Sequence, residues 1–401
     1  MSTSLLYHCF GLQGVRYQAT RYQRGKTIFE AKITKKLMVC PQCDSRKVTK
    51  EGNKIRLLKM PPICFKPTLL RLKIYRIKCK KCEAICWPVL PFSSPKKRYT
   101  NSLVRLIIEL LKMMTIKDCA SFVGVGWDTA KNIHKAHLSK RYRRIPLKEV
   151  EYIGIDEFAI RKGHHYMSIV IDLTSGAVLF CSEGKSAESI APFLKKLKKK
   201  AKKLKAVATD MNKGYIAALI EHLPKVDIVF DHYHISALMN KGLDELRRKH
   251  QKDLDVIGKK TLKGSRYLLL SNYESLDQEK QSRLNSLLEI NAPLATMHFL
   301  KEQFREFWNQ TTPKKARKFF DNWCEDAMKS KIHPLMKVAK TLKMYRFGLI
   351  NYFKHKITSA SVEGTNNKIK TLKRQVYGFR DMEYFKLRLF HLHQQTYSLT
   401  G

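Results

Sequence analysis

Acidic residues are scarce in this chain: 34 Asp and Glu stand against 78 Lys and Arg, a formal net charge of +44. A positive excess of this size predicts attraction to phosphate polymers, which bind proteins largely through electrostatics. The hydrophobic content of 44% and the aromatic content of 10% are those of a globular protein, so the charge does not indicate disorder.

Long apolar segments are also missing. No run of about 18 apolar residues is present, nor an N-terminal stretch like a signal peptide, nor a repeat of solenoid period. Six of the ten cysteines lie within residues 40–86 and the others are scattered, which is unlike a secreted disulfide scaffold. We expect an intracellular protein of two or three domains.

Two Cys-x-x-Cys pairs, CPQC and CKKC, stand about 35 residues apart, and the segment between them alternates apolar and basic residues. Such pairs point four thiolates at one metal ion. The pattern predicts a zinc ribbon over about residues 38–90, inside an N-terminal region of residues 1–98. The expected ligands of a structural Zn²⁺ are Cys40, Cys43, Cys79 and Cys82. A metal-free fold, or Cys64 or Cys86 as substitute ligands, stays open.

Residues 99–146 change to a helical period. Apolar residues recur at three- and four-residue steps, and two short helices meet at Gly124, which is typical of a helix-turn-helix. The predicted recognition helix covers about residues 127–141. Its expected DNA-binding side chains are Lys131, Asn132, Lys135 and Arg141. The alternative is a three-helix bundle that serves only as a linker.

From residue 150 onward, three strands, a helix, a strand, a helix and a strand follow one another. This order is that of an RNase H-like domain, and the apolar strand KVDIVFD indicates a sheet covered on both faces. The expected fold class is therefore α/β, with an RNase H-like catalytic core preceded by a zinc ribbon and an all-α helix-turn-helix domain.

Three acids occur where a site would form in such a sheet. Asp156 lies in the first predicted strand, Asp210 ends the fourth, and Glu363 opens a predicted helix. Ligands collect at strand ends in open α/β sheets, and carboxylates bind divalent metal ions. The pattern suggests a metal site that cleaves a nucleic-acid backbone.

Each acid also has an ordinary structural interpretation. Asp210 could cap the next helix, and Glu363 could merely favour a helix N-terminus. Asp172 and Asp231 end strands as well, and the FDHYH segment, with Asp231 and His234, has the spacing of an alternative metal cluster.

The helix that Glu363 opens has a distinctive predicted face. Glu363, Asn366, Asn367, Lys370 and Arg374 fall at offsets of 0, 3, 4, 7 and 11, and so share one side of a helix. The carboxylate suits a metal ion, and the two cations suit neighbouring DNA phosphates.

The ordered motifs are the two cysteine pairs, the helix-turn-helix, IGIDEFAIRKGHHYMSIVIDLTSGAVL, VATDMNKGYIAALIEHLPKVDIVFDHYHI and SVEGTNNKIKTLKRQVYGFRDMEYFKLRLF. In this order they strongly resemble the ISL3 family of bacterial insertion-sequence transposases, over nearly the whole chain. The resemblance implies a DDE transposase with Mg²⁺ or Mn²⁺ held by the catalytic acids Asp156, Asp210 and Glu363. It leaves Asp231 and His234 as a family signature of uncertain role.

Asp210 and Glu363 are 153 positions apart, and the intervening residues have a basic, helical pattern. With the resemblance, this predicts a catalytic domain of residues 147–234 and 355–401, interrupted by a helical insertion of residues 235–354. Aromatic residues recur there at helical spacing and are expected mainly in the core, with base stacking or hairpin handling as the alternative. They are Phe304, Phe307, Trp308, Phe319 and Trp323.

The resemblance also implies a function and partners. We expect a DNA transposase that binds the terminal inverted repeats of an insertion sequence, cuts them and joins them to target DNA. Synapsis of two ends implies a homodimer or higher oligomer, in the bacterial cytoplasm and associated with the nucleoid when bound to DNA. The alternatives are a structure-selective, metal-dependent DNA nuclease and a catalytically inactive DNA-binding regulator derived from a transposase.

Overall fold

Contacts within the chain divide it into two units, Met1–Arg144 with Lys373–Gly401 and Ile145–Leu372. The structure, a computed structural model, describes residues 5–161, 163, 165–253, 264–376 and 379–394. Parts of three predicted domains lie outside these described residues. They are residues 1–4 of the N-terminal region, residues 254–263 of the insertion, and residues 162, 164, 377–378 and 395–401 of the catalytic domain.

The first unit begins with a one-turn helix, α1 (Leu5–His8), and a five-stranded sheet. The sheet has the order β1-β2-β4-β3, with β5 paired to β4. The long β3–β4 hairpin is antiparallel, whereas β2 runs parallel to β4. The alternation of apolar and basic residues in the sequence belongs to β3 and β4. Their buried side chains are part of the hydrophobic core of this sheet. The strands are β1 (Val15–Gln23), β2 (Lys26–Ile33), β3 (Val48–Ile63), β4 (Lys66–Cys79) and β5 (Ile85–Cys86).

Three helices follow, as the periodicity predicts: α2 (Asn101–Leu110), α3 (Ile116–Val123) and α4 (Trp127–Arg141). Thr100 caps α2, because its hydroxyl accepts the backbone N–H of Leu103. Gly124 ends α3 with a φ of 68°, the left-handed conformation that a glycine C-cap supplies. The helix-turn-helix prediction is confirmed in its elements.

The second unit is built on a sheet with the order β10-β9-β6-β7-β8. Strands β6, β7 and β8 form an antiparallel meander. Strand β9 lies parallel to β6, and β10 lies parallel to β9. This is the RNase H-like order that the sequence predicted. The strands are β6 (Tyr152–Arg161), β7 (His165–Asp172), β8 (Val178–Glu183), β9 (Ala206–Thr209) and β10 (Asp227–Phe230).

Helices cover both faces of this sheet. Helices α5 (Ala187–Lys200) and α6 (Lys213–His222) share a core with Ile153 and Ile155 of β6. The alternate residues of β6 face the opposite side of the sheet, where α14 (Ala360–Gln375) packs. The intervening helices are α7 (His232–Asp253), α8 (Arg266–Leu270), α9 (Gln278–Ile290), α10 (Ala292–Arg305), α11 (Pro313–Lys329), α12 (His333–Met344) and α13 (Arg346–His355).

The last helix, α15 (Met382–Phe390), does not belong to the same unit as the sheet around Asp156. Tyr384, Leu387 and Phe379 join the hydrophobic core of α2, α3 and α4. The prediction placed residues 355–401 together in the catalytic domain, whereas the structure divides them after residue 372. Apolar residues of α15 give no sign in the sequence of which core they enter.

The aromatic residues of the insertion are mostly core, as expected. Phe304, Phe307 and Trp323 are 3%, 0% and 1% exposed. Phe319 and Trp308 are only partly buried against the same core. None of the described helices is long and apolar enough to cross a membrane.

Gly154 marks the place where α14 comes closest to β6. A Cβ atom at this position would lie 2.4 Å from Cγ2 of Val362 and 2.9 Å from Cδ2 of Leu173. Val362 is fully buried, so it has no free space into which to move. Glycine therefore sets the distance between this helix and the strand that carries Asp156.

We expect Gly154→Ala to destabilise the fold by about 1–3 kcal/mol through overpacking, measured by urea unfolding. The matched control is Gly364→Ala on the same helix, where an added Cβ meets nothing within 4 Å. That control should raise stability by about 0.4–1 kcal/mol, because alanine favours a helix. Equal behaviour of the two variants would contradict the close-approach argument.

Candidate nucleic-acid interface and acidic site

The four predicted zinc ligands lie together in the first unit. The Sγ atoms of Cys40 and Cys82 are 3.6 Å apart, and those of Cys43 and Cys79 are 3.5 Å apart. All four sulfur atoms lie within 4.8 Å of one another. A tetrahedral Zn²⁺ site with Zn–S bonds of about 2.3 Å has edges of about 3.8 Å, so the thiols fit this ion.

The two cysteine turns share one backbone design. In each turn the N–H of the first cysteine donates to the carbonyl oxygen five residues later, at 3.0 Å. The residue after the second cysteine, Asp44 or Glu83, has a positive φ of 53° or 57°. Backbone N–H groups of Cys82 and Lys81 lower the pKa of Cys79 to about 6, whereas burial and the neighbouring thiols raise that of Cys43 to about 12. Without a metal ion, four thiols this close together do not all ionise.

The substitute ligands are not part of this group. Cys64 is exposed at the turn between β3 and β4. Cys86 is half-buried and packs against the hydrophobic core of the sheet. The two Cys-x-x-Cys pairs therefore supply all four sulfur atoms of the zinc site.

Asp156 and Asp210 come together because β6 and β9 are parallel neighbours. Burial raises the pKa of both carboxyl groups, and the charge of Asp210 raises that of Asp156 further. Glu157 lies beside them, and burial together with the charges of Asp210 and Asp156 raises its pKa to about 7. Like charges held together in a half-buried place are typical of metal and acid–base sites.

Asn366 is the side chain of α14 that reaches this cluster. Its Nδ2 donates to Oδ2 of Asp156 at 2.7 Å, and the residue is only 7% exposed. Its Oδ1 and the Oε2 of Glu157 are buried and have no hydrogen-bond partner among the described residues. Unpaired buried oxygen atoms are unfavourable, and oxygen is the ligand that Mg²⁺ prefers. Oxygen donors of the type that a divalent cation binds therefore lie near Asp156.

Glu363 lies one helical turn before Asn366 and is exposed. Among the described side chains, the four cysteines are the only group of three or more potential ligands whose ligand atoms all lie within 4.8 Å. The structure therefore brings Asp156 and Asp210 together but does not bring the Glu363 carboxylate into the same compact set.

The predicted polar face of this helix divides in two. Asn366 is buried with Val362, whereas Asn367 and Lys370 are exposed. Lys370 Nζ donates to Oδ1 of Asn367 at 3.3 Å. Arg374 is exposed in the last turn and falls in the first unit by its contacts.

Asp231 and His234 border the acidic cluster. The charge of Asp231 contributes to the raised pKa of Asp156, and His234 opposes that rise at Asp156 and at Asp210. Asp210 and His234 line an open cavity of about 460 Å³, together with the cations Lys213 and Lys241. The FDHYH segment is therefore continuous with the acidic cluster rather than a separate place in the fold.

The basic side chains of α4 are partly bound to acids of the C-terminal segment. Lys135 Nζ lies 2.6 Å from Oε2 of Glu383 and 3.1 Å from Oδ2 of Asp381. Lys131 Nζ lies 3.6 Å from Oδ2 of Asp381. Two of the predicted DNA-binding lysines thus have carboxylate partners in the protein, which their positions in the sequence did not indicate.

The other two predicted DNA-binding side chains of this helix, Asn132 and Arg141, are exposed. Behind them, buried hydrogen bonds hold α4 against the C-terminal segment. His134 Nδ1 pairs with the Tyr384 hydroxyl at 2.7 Å, and burial lowers the pKa of His134 to about 2. The ring is therefore neutral, and this attachment does not depend on a charge.

Three family descriptions match successive parts of the chain. A description of the zinc finger of transposases IS204/IS1001/IS1096/IS1165 matches residues 36–82, and one of the helix-turn-helix domain of transposase family ISL3 matches residues 89–138. The ISL3 family transposase description matches residues 153–389, more than half of the chain. The chain belongs to the ISL3 family of DNA transposases.

Two named relatives are transposases of insertion sequence elements. The transposase for insertion sequence element IS1001 of Bordetella parapertussis is 33% identical over 362 residues, or 89% of either chain. The transposase for IS1557 in two strains of Mycobacterium tuberculosis is 24% identical over 281 residues, covering 64% of this chain and 63% of its own. A solved Drosophila P element transposase strand transfer complex aligns with a TM-score of 0.38 and 10% identity, over 73% of this chain and 91% of its own.

Three notable residues of this transposase were not found by sequence reasoning: Glu157, Asp381 and, in its contact with Asp156, Asn366. Glu157 directly follows Asp156, but a neighbour in a strand points to the opposite face and gives no pattern. Asp381 caps α15 in the structure, and the sequence pattern predicts no role for it. Their importance depends on distant partners, which composition and periodicity do not reveal.

We expect Glu157→Gln to be more stable than the wild type above pH 7. The folded pKa of about 7 exceeds the ordinary 4.5, so ionisation of Glu157 destabilises the fold as pH rises between these values. After allowance for solvent screening the gain is on the order of 1–2 kcal/mol above pH 7 and vanishes near pH 4.5. Urea unfolding across that range, with exposed Glu245→Gln as control, measures it. A gap that is constant with pH would refute the argument.

We expect Asp381→Asn to strengthen DNA binding. Asn keeps the helix cap that Asp381 provides to the Tyr384 N–H at 3.0 Å, but frees Lys131 and Lys135 for phosphates. The dependence of log affinity on log salt should steepen by about 1–2, since each phosphate contact contributes about 0.9. Fluorescence anisotropy with a duplex at several salt concentrations measures this.

The control for that experiment is Glu109→Gln on α2, which removes the same charge from a pair with Lys112. If both variants steepen the salt dependence equally, the effect belongs to net charge alone and not to the recognition helix.

Proposed function

We propose that the acidic cluster of the second unit is the site at which this transposase cleaves and joins DNA strands. Asp156 and Asp210 would hold Mg²⁺ or Mn²⁺, with Glu363 of α14 as the third ligand. The observation that supports this most directly is the hydrogen bond of 2.7 Å between Asn366 and Asp156, since it places the helix of Glu363 beside the two aspartates.

The chemistry of the donors agrees with this proposal. A bound divalent cation would lower the pKa of the attacking water or 3′-hydroxyl. It would also stabilise the charge that develops on the leaving oxygen. Without such a cation, burial disfavours the charged forms of all three carboxyl groups and raises their pKa values, and the charge of Asp210 adds to the rise at Asp156 and Glu157. An acidic cluster of this kind is unfavourable on its own and becomes favourable with a cation.

The chain's own residues would orient the reaction. Asn366 fixes one oxygen of Asp156, and the N–H of Glu157 donates to the other at 2.8 Å. The carboxylate therefore presents fixed lone pairs. Lys213 and Lys241 in the adjoining cavity would bind phosphates on either side of the reacting one. One site serves hydrolysis and strand transfer, because only the nucleophile differs.

The first unit would recognise the terminal inverted repeats. The exposed Asn132 and Arg141 lie on α4, a helix that in a helix-turn-helix enters the major groove. The zinc ribbon adds a basic surface that binds phosphates without regard to sequence. Because two ends must be held together before joining, we also propose that the transposase acts as a homodimer or a higher oligomer.

We expect Asp156→Asn, Asp210→Asn and Glu363→Gln each to abolish strand cleavage and joining while leaving DNA binding intact. The assay uses a plasmid with the inverted repeats that flank the coding sequence, in Mg²⁺ or Mn²⁺. Asn366→Ala should lower the rate about 10- to 100-fold, the usual loss when a residue that orients a ligand is removed. Asp172→Asn is the matched control, since Asp172 accepts the N–H of Thr174 in a turn at 3.1 Å.

Several outcomes separate the rival functions. Cleavage without joining of the cut end would indicate a nuclease. Binding by the wild type with no cleavage under any metal condition would indicate a regulator. Full activity of Glu363→Gln with loss in Asn366→Ala would remove Glu363 from the proposed ligand set.

A further inference from the structure

The hairpin of β3 and β4 ends in a two-residue loop, Cys64–Phe65, between the paired residues Ile63 and Lys66. Both loop residues have a positive φ, 46° and 64°, as in the type I′ turns that favour Asn-Gly. A bulky side chain rarely adopts this conformation. The β1–β2 hairpin of the same sheet has a loop of the same length, Arg24–Gly25, whose second residue is the glycine that such turns favour.

Phe65 is also the most exposed large hydrophobic side chain of the described residues, at 85%. Its ring meets the ring of Phe122 edge-on, with centroids 5.9 Å apart and planes at 84°, which leaves both faces largely open. An exposed aromatic ring on a strained backbone is unfavourable for the free protein. Strain of this kind is typical of functional sites.

The tip of this hairpin is held in place by its own hydrogen bonds. The buried hydroxyl of Thr68 accepts the N–H of Ile63 and donates to the carbonyl oxygen of Lys66, both at 3.2 Å. Three prolines within residues 61–67 restrict the backbone further. The ring is therefore presented in a preformed position, which lowers the entropy cost of binding.

The tip lies against the helix-turn-helix of the same unit. Phe122 belongs to α3, and Nζ of Lys59 on β3 donates to the carbonyl oxygen of Gly124, in the turn before α4. In a helix-turn-helix the first helix crosses the DNA backbone, and the N-terminal residues of the second contact the bases. A hairpin attached at this turn would lie beside the minor groove that adjoins the major groove entered by α4.

The chemistry of the hairpin favours DNA over a second copy of the chain. No Asp or Glu occurs from residue 52 to residue 82, and the exposed Lys66 directly follows Phe65. A basic hairpin repels a protein with a net charge of +44 and attracts phosphates. Apolar side chains carried among cations are the wedges that minor-groove proteins insert between base pairs to kink a duplex.

From these observations we propose that Phe65 is a wedge that enters the minor groove beside α4, unstacks one base step and bends the terminal repeat. The inference rests on the proposed function, because it takes the helix-turn-helix to hold the terminal inverted repeat. Recognition of the repeat would then depend partly on how easily the DNA kinks at that step, in addition to direct base contacts.

The variant that tests the wedge is Phe65→Asn. It removes the ring but supplies a residue that tolerates a positive φ, so its thermal unfolding should occur at no lower temperature than that of the wild type. Full-length protein is titrated by fluorescence anisotropy, without added divalent metal, against a duplex of the inverted repeat that flanks the coding sequence. Affinity should fall about tenfold, since the contact of one aromatic ring with a base contributes on that order.

The salt dependence separates the ring from the charge beside it. Phe65→Asn removes no phosphate contact, so the slope of log affinity against log salt should stay as in the wild type. Lys66→Gln is the matched control, and it should reduce the slope by about 0.9.

Bending is measured by energy transfer between dyes at the two ends of the duplex, at saturating protein. The wild type should bring the ends closer together, as should Phe65→Leu, which keeps an apolar wedge. Phe65→Asn should leave the duplex straight. Tyr22→Asn removes another exposed ring, 77% exposed on β1 of the same sheet, and should behave as the wild type.

A duplex left straight by the wild type would overturn the inference, as would a bend that survives in Phe65→Asn or an equal loss of affinity in Tyr22→Asn. Both measurements are repeated with a scrambled duplex, so the two proposals fail separately. Equal affinity for the repeat and the scrambled duplex refutes the proposed recognition of the repeat, while the bend and its loss in Phe65→Asn stay measurable. A chain that selects the repeat but leaves it straight refutes the wedge alone.

Discussion

The close packing of α14 against β6 is the contact on which the acidic site depends. Gly154 allows Val362 to approach the strand, and one turn later Asn366 reaches Asp156, 210 positions away in the sequence. A buried hydrogen bond to a carboxylate is stronger than one between neutral groups and strongly directional. This hydrogen bond orients the Asp156 carboxylate only while α14 stays at its present distance from β6. The packing of the helix therefore determines the orientation of the carboxylate.

The helical insertion between β10 and α14 leaves the contact between α14 and β6 intact. Helices α7 to α13 extend the hydrophobic core of the sheet, and within them Phe307, Phe320 and Trp323 are 0–1% exposed. Gly348 of α13 then lies directly against Phe230 of β10, so that the chain returns to the sheet before α14 begins. A long excursion between two parts of one site costs little entropy once it is itself folded, since loop closure grows only slowly with length.

The distribution of charge has a similar logic. In a chain with a net charge of +44, a carboxylate has many possible cation partners, and most surface pairs contribute little. The acids near Asp156 instead lie beside other acids. Burial is the main cause of the raised pKa values of Asp156 and Glu157, and the charge of Asp210 adds to it. Asp381 and Glu383 take the opposite role, because they bind lysines of the helix expected to contact DNA. The acids near Asp156 are therefore placed where a bound cation would be favourable. Asp381 and Glu383 are placed where they pair with lysines of α4.

The secondary-structure elements can be predicted from the sequence alone, and the order of the domains from the sequence together with the family resemblance. Local patterns suffice for this: cysteine spacing defines both metal turns, a period of 3.6 or 2 defines helices and strands, and apolar strands define a covered sheet. The pattern also predicted acidic residues in or at the ends of strands, among them Asp172 and Asp231, and the family resemblance favoured Asp156 and Asp210 over these two. Three features depend on tertiary packing: Asn366 contacts Asp156, Glu363 is exposed, and the last helix joins the helix-turn-helix core. Helical spacing specifies which residues share a face, but the direction of that face depends on packing between segments far apart in sequence.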